Sequence, residues 1–389
     1  MLALDDVRIL DLSRLLPGPF CTLLLADLGA DVIKIEDTES GDYMRWMPPL
    51  AGEYSAIFHA LNRNKRSVAI DLKSEAGRDV FLRLSEHADV VLESFRPGVM
   101  DRLGIGYQTL CERNPRIILC SISGYGQDGP YQSRAGHDLN YAALAGVLSI
   151  GGRSNSLPAM PALQVGDLGG GALHAAVAVL TALHQRARSG EGQHCDVAML
   201  DGLVSWMAPH AAVYFATGEI PGPGTLTLNG RHPCYRMYAC ADGAVSVGAL
   251  EPKFWRTLVE TLGVPHLAEA GLTSGEEGER VAAELQAALS RHTRAELTAL
   301  FDGGDVCCEP VLGVHESIEH PQVVSRGMVI PAGVAGPLPQ FAAPVRLGGS
   351  PATVRRGAPG WGADTREVLG EAGYDDAAID ALAHAGSVR

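Results

Sequence analysis

The sequence predicts an α/β protein, with a Rossmann-like large domain built on a parallel sheet and a smaller α+β domain. Three observations point there. Short apolar runs alternate with helix-length amphipathic runs from the N-terminus to "RIILCSIS", the pattern of repeated βαβ units. Near Tyr235 the texture changes to a hairpin-like one. At 389 residues the chain exceeds one simple core and suits two packed domains.

"VRILDLS", "CTLLLADLGA" and "DVIKIE" read as strand, helix and strand. The unit repeats as "SVAIDL", the helical "SEAGRDVFLRLSEHA" and "DVVLES". No G-x-G-x-x-G follows the first strand; the turn is "RLLPGPF", whose prolines lack the N–H groups that cradle a pyrophosphate. "DLGGGALHAAVAVLTALHQRARSG" predicts a helix with Asp167 at its N-cap and Gly190 just past its end. "CYRMYACADGAVSVGAL" predicts two strands around an Asp242-Gly243 turn, then a helix with Pro252 in its first turn. The expected domains are 1–200 (large, α/β), 201–224 (helix and linker), 225–322 (small, α+β) and 323–389, returning to the large domain.

The formal net charge of -14 argues against general affinity for nucleic acid or anionic membranes. An anionic ligand must then find a local basic pocket. The 8 cysteines show no C-x-x-C spacing and no paired histidines, so no metal site is expected. No signal peptide is expected, because Asp5 and Asp6 precede any apolar run. The apolar segments around Leu15–Ala30 and Gly170–Leu183 are short and interrupted, so no membrane insertion is expected, and a reducing cytoplasm is the consistent location.

Four polar features carry the chemistry. His137 in "GHDLNY" is a helix cap, a core histidine or a general base, since imidazole titrates near neutral pH. Asp167 in "VGDLGGG" caps a helix or acts at a site, and three glycines there suggest close approach to the backbone, with the N–H groups of 167–170 as candidate oxyanion donors. Glu251 in "GALEPKFW" starts a helix. The basic set of Asn62–Arg66, Lys73, Arg96 and Arg102 falls at predicted strand ends, where open α/β sheets bind ligands, and is expected to hold phosphates. An Asp, a His and a Glu beside a phosphate-bearing ligand suit either a nucleophilic carboxylate or two bases on opposite faces of a carbon.

Taken together, "LLPGPFCTLLLADLGADVIKIE", "RNKRSVAIDLKS", "DVVLESFRPGVMDRLG", "SGYGQDGPY", "AGHDLNY", "GDLGGG", "GQHCDVAMLDG" and "YACADGAVSVGALEPKFW" resemble the family III CoA-transferase (CaiB/BaiF) fold, and within it the α-methylacyl-CoA racemases. The resemblance implies racemisation of 2-methylacyl-CoA thioesters, with His137 and Asp167 as acid/base residues and Glu251 supporting His137. It implies CoA contacts at Ile70, Asp71, Leu72, Lys73, Ser94, Phe95, Arg96, Arg102, Gly136, Asp138, Leu139, Asn140 and Tyr141. CoA is then part of the substrate, and no separate cofactor is implied. An interlocked homodimer is implied too, with Glu251 coming from the other chain. The transferases of this fold use the Asp at the position of Asp167 as a nucleophile, which is the alternative reading. "GRHPCYRMY" departs from the "GGAP" pattern of the racemases, and Asp37 stands where an arginine is often found.

Overall fold

Six parallel strands carry the first part of the chain in the computed structural model, which describes residues 1–152 and 156–389. They are β1 (Arg8–Asp11), β2 (Asp31–Glu36), β3 (Lys65–Ala69), β4 (Val90–Glu93), β5 (Ile118–Ser123) and β6 (His194–Ala198). Their spatial order is β3-β2-β1-β4-β5-β6, each neighbour parallel. This is the doubly wound order, which reverses between β1 and β4 and leaves a crevice at the carboxyl ends of those strands. Ile9, Leu10, Ile33, Val68, Val90 and Val91 are fully buried, as strands covered on both faces require.

Helix α1 (Pro17–Asp27) begins with Pro17 and Pro19 in its first turn, where a missing N–H breaks no helical bond. Helix α2 (Glu75–Ser85) is capped by Ser74, whose Oγ accepts the Gly77 N–H at 3.0 Å. Helices α3 (Asp138–Leu144), α4 (Val165–Ser189) and α5 (Met199–Trp206) follow. The chain forms two compact units: residues 1–145, 162–206 and 321–389, and residues 146–161 with 207–320. In the first unit, Val368, Leu369, Ile379 and Val388 join Leu10, Ile33, Phe81 and Val91 in one core.

The side chains of the basic run Asn62–Arg66 are buried and paired inside the first unit, which corrects the expectation that they stand open to a phosphate. Arg63 Nη2 lies 2.5 Å from Asp27 Oδ2, and Lys65 Nζ lies 2.9 Å from Asn62 Oδ1 and 3.4 Å from Asp11. Arg66 bonds Asp31 and Glu371 at 2.6 Å each. All three cations are buried. A buried cation must be paired, so their charge is neutralised inside the unit.

Helix α4 spans 25 residues and is long and apolar enough to cross a membrane by length and composition alone. Its Ala175, Ala176, Val179 and Ala182 are buried within the first unit, so that side of the helix belongs to the core. Gly190 follows at φ 82°, the left-handed stop expected of it.

The second unit holds an antiparallel sheet of β7 (Tyr235–Cys240), β8 (Gly243–Gly248) and β9 (Cys308–Pro310), with β8 central. The Asp242-Gly243 turn joins β7 to β8 as expected. Pro252 opens helix α6 (Pro252–Thr261). Val245, Val247, Trp255, Leu258, Val281 and Leu285 form this unit's core.

Candidate active site

The turn before α3 is pinned by its own side chains. Asn140 Oδ1 accepts the His137 N–H at 3.0 Å, and Tyr141 donates its hydroxyl to the Gly136 carbonyl at 2.6 Å. A Cβ on Gly136 would lie 2.7 Å from the Tyr125 hydroxyl and 2.8 Å from the Tyr141 ring, so only glycine lets this turn lie against those rings. Asp138 Oδ1 then accepts the N–H groups of Gly166 and Asp167, at 2.6 and 2.9 Å. One carboxylate thereby clamps the start of α3 to the start of α4. His137 and Asp167 end up lining the same cavity.

Asp167 is not the N-cap of its helix. The cap is Gln164, and the first stretch, Val165–Leu173, is wound as a wide π-helix, a form common at functional sites. The glycines have a packing cause. A Cβ on Gly169 would fall 1.9 Å from the Trp206 ring, and one on Gly202 would fall 2.5 Å from the Gly170 carbonyl oxygen. The expected close approach to this backbone is therefore made by α5. Nor are all the amides of 167–170 free for an oxyanion, since that of Asp167 bonds Asp138 and that of Leu168 bonds the Gln164 carbonyl at 2.9 Å.

The cavity measures about 420 Å³ and opens at the carboxyl ends of β1, β4 and β5, the crevice the strand order provides. Of the residues expected from sequence, it gathers Ser94, Phe95, Arg96, Gly136, His137, Asn140, Tyr141 and Asp167. A second cavity of about 380 Å³ gathers Ile70, Asp71, Leu72 and Lys73, and shares Arg14 and Phe95 with the first. Both volumes are in the range of small-molecule sites. Arg102 is exposed and Leu139 is 44 % exposed, and neither lines either cavity. Glu251 lies in the second unit, exposed, at the N-cap of α6; its backbone carbonyl takes the Phe254 N–H, and its side chain makes no capping bond.

Sequence reasoning missed Arg14, Leu15, Tyr125, Gln132, Arg134 and Met199, which also line the first cavity. The "RLLPGPF" turn forms one wall of that cavity through Arg14, Leu15 and Pro17. Leu15 there adopts φ 64°, unusual for a side-chain-bearing residue. Arg14 Nη2 lies 3.4 Å from Asp37 Oδ2. Burial opposes ionisation of Asp37, but the N–H groups of Ser40, Glu39 and Gly41 and the Arg14 charge hold its carboxyl below the usual range.

Burial lifts the Asp167 carboxyl to about 6, the Asp138 charge adds to that, and the His137 charge works the other way. A carboxyl so placed takes up and releases a proton within reach of neutral pH. Burial also raises the Tyr141 hydroxyl to about 12, with Asp167 contributing, so that phenol stays a donor. Among the described residues, no group of three or more His, Cys, Asp or Glu is placed to hold a metal ion.

The model of CoA-transferase family III matches residues 4–365. The chain is 36% identical over 380 residues to the α-methylacyl-CoA racemase of Mus musculus, covering 97% of this chain and 95% of that one. It is 38% identical over 346 residues to a succinyl-CoA:mesaconate CoA-transferase of Haloarcula hispanica, covering 84% and 85%. Its structure resembles that of a CAIB/BAIF family protein from Brucella suis with a TM-score of 0.84 and 32% identity, over 95% of this chain and 99% of that one. Racemases and CoA-transferases thus stand at similar distances, and the chain belongs to CoA-transferase family III.

Proposed function

We propose that this enzyme racemises 2-methylacyl-CoA thioesters by moving the proton on the α-carbon. The observation that carries the reading is that His137 and Asp167 line one cavity, with Asp167 lifted to about 6. His137 takes the α-proton from one enantiomer. The C–H electron pair moves into the thioester to form an enolate, and protonated Asp167 returns a proton to the opposite face. In the reverse direction the two exchange roles.

The enolate oxygen needs a donor set in advance. Asn140 lines the cavity with its Oδ1 occupied by the His137 N–H, which leaves its amide NH₂ for that task. The CoA moiety of the substrate lies along the second cavity, beside Ile70–Lys73. Support of His137 by Glu251, and a second interlocked copy of the chain, are part of the same proposal and rest on the family resemblance.

The test is incubation of one enantiomer of a 2-methylacyl-CoA in heavy water without an acceptor acid. One deuterium should enter at the α-carbon as the configuration scrambles, and His137→Ala should suppress this by roughly 100-fold or more. Transfer of CoA to a free acid, with an acyl-enzyme at Asp167 that hydroxylamine traps and no α-exchange, would establish the transferase instead.

A further inference from the structure

Glu93 closes β4 directly before the loop that forms the wall between the two cavities. It is buried at 4% exposure. Its Oε2 accepts the Phe95 N–H at 2.6 Å, and the Ser121 hydroxyl also bonds it. Ser121 Oγ in turn lies 2.9 Å from His194 Nε2, and the His194 ring stacks on Tyr107 at 5.7 Å. A small pocket of about 120 Å³ behind the loop is lined by Glu93, Ser121, His194, Asp101 and Arg96. Arg96 also lines the main cavity, so it stands between the two spaces. No ion pair of Arg96 occurs among the described residues.

We propose that Glu93 is a titratable positioning residue: ionised, it draws Arg96 into the small pocket, and neutral, it leaves Arg96 to hold an anionic group of the ligand in the main cavity. This rests on the reading that the cavities take an acyl-CoA. The groups facing Glu93 give it no fixed cation. From β6 come Asp196 and His194, from β5 Cys120 and Ser121, and around the small pocket Asp101 and Tyr107. The imidazole cannot substitute, because burial holds His194 below its usual range. Burial, reinforced by Asp196, lifts Glu93 to about 7 against the pull of Ser121 and the Phe95 N–H. Arg96 is then the cation that an ionised Glu93 would recruit.

Calorimetric titration of the full-length protein with free CoA, from pH 6 to 8.5, tests this without turnover. Comparing Glu93→Gln with wild type at each pH cancels the ionisation of CoA itself. The two should bind alike at pH 6, and the variant should bind tighter by up to about fivefold at pH 8, the order of an exposed ion contact. Arg96→Ala should erase that difference when combined with Glu93→Gln. Ser121→Ala, which removes a donor to the carboxylate, should move the wild-type midpoint to higher pH, and it carries the test if Glu93→Gln does not fold. A variant-to-wild-type ratio constant with pH, or a difference that survives Arg96→Ala, would overturn the proposal. Absence of CoA binding at every pH would instead remove the ligand reading beneath it.

Discussion

Replacing Asp138 with Asn removes one charge and keeps the shape of the group that accepts the Gly166 and Asp167 N–H bonds. In the native protein Asp167 is raised from 3.8 to about 6, first by burial and second by Asp138. Deleting the smaller of the two contributions should lower it by up to about one unit, or about 1.4 kcal/mol. The assay is the pH dependence of α-deuterium exchange. Its Asp167 limb should move from about 6 toward about 5 in Asp138→Asn. Stability gives an independent readout. A carboxyl raised in the fold binds an extra proton between its unfolded and folded values, so its contribution is full below about pH 4 and is lost as pH rises through about 6. In the variant that loss should finish at lower pH. Asp138→Ala is the contrasting case, because two N–H donors lose their partner at about 1–3 kcal/mol each. An exchange limb that stays in place or moves upward in Asp138→Asn would refute the assignment of that limb to an Asp167 tuned by Asp138.

Two further predictions concern packing and charge. Gly202→Ala places a methyl 2.5 Å from the Gly170 oxygen and 2.6 Å from its Cα, and should cost about 1–3 kcal/mol in urea unfolding; wild-type stability would show that α4 and α5 do not meet this closely. Arg66→Met removes one of the two arginines that bridge Asp31 and Glu371, Arg8 being the other, and because both carboxylates keep Arg8 and stay partly exposed it should lower stability by only about 1 kcal/mol with CoA affinity unchanged in calorimetry. Weakened CoA binding at native stability would return Arg66 to the ligand.

The strand pattern was readable because a buried parallel sheet writes itself as apolar runs, as at Ile33–Ile35 and Val90–Leu92. The position of the cavity followed from that, since strand ends are where such sheets bind. The roles of charges did not follow. Arg66 looks like a surface cation in its own segment, yet its partner Glu371 lies 305 residues away. Asp167 was misplaced as a cap because a glycine run has no side-chain periodicity from which to tell a π-helix from a regular one. Glu93 escaped notice for another reason, because its environment is made by burial and by Ser121 and Asp196 from other strands, none of which its neighbours in sequence announce.

The manner in which the first unit is closed has a consequence during synthesis on the ribosome. Val388 bridges to Ile70, the Arg389 N–H bonds Ala69, and Val368, Leu369 and Ile379 fill the same core as Leu10 and Ile33. The whole of 207–320 is translated before any of these residues exists. The second unit can therefore fold while the nascent sheet still lacks one wall. At about 5–20 residues per second, the stretch from the end of β6 to Arg389 takes about 10–40 seconds to make, and the apolar flank beside β3 stays uncovered for that time in each round of translation. A ribosome stalled within 321–389 would prolong that window and present the unfinished sheet to chaperones or to other nascent chains.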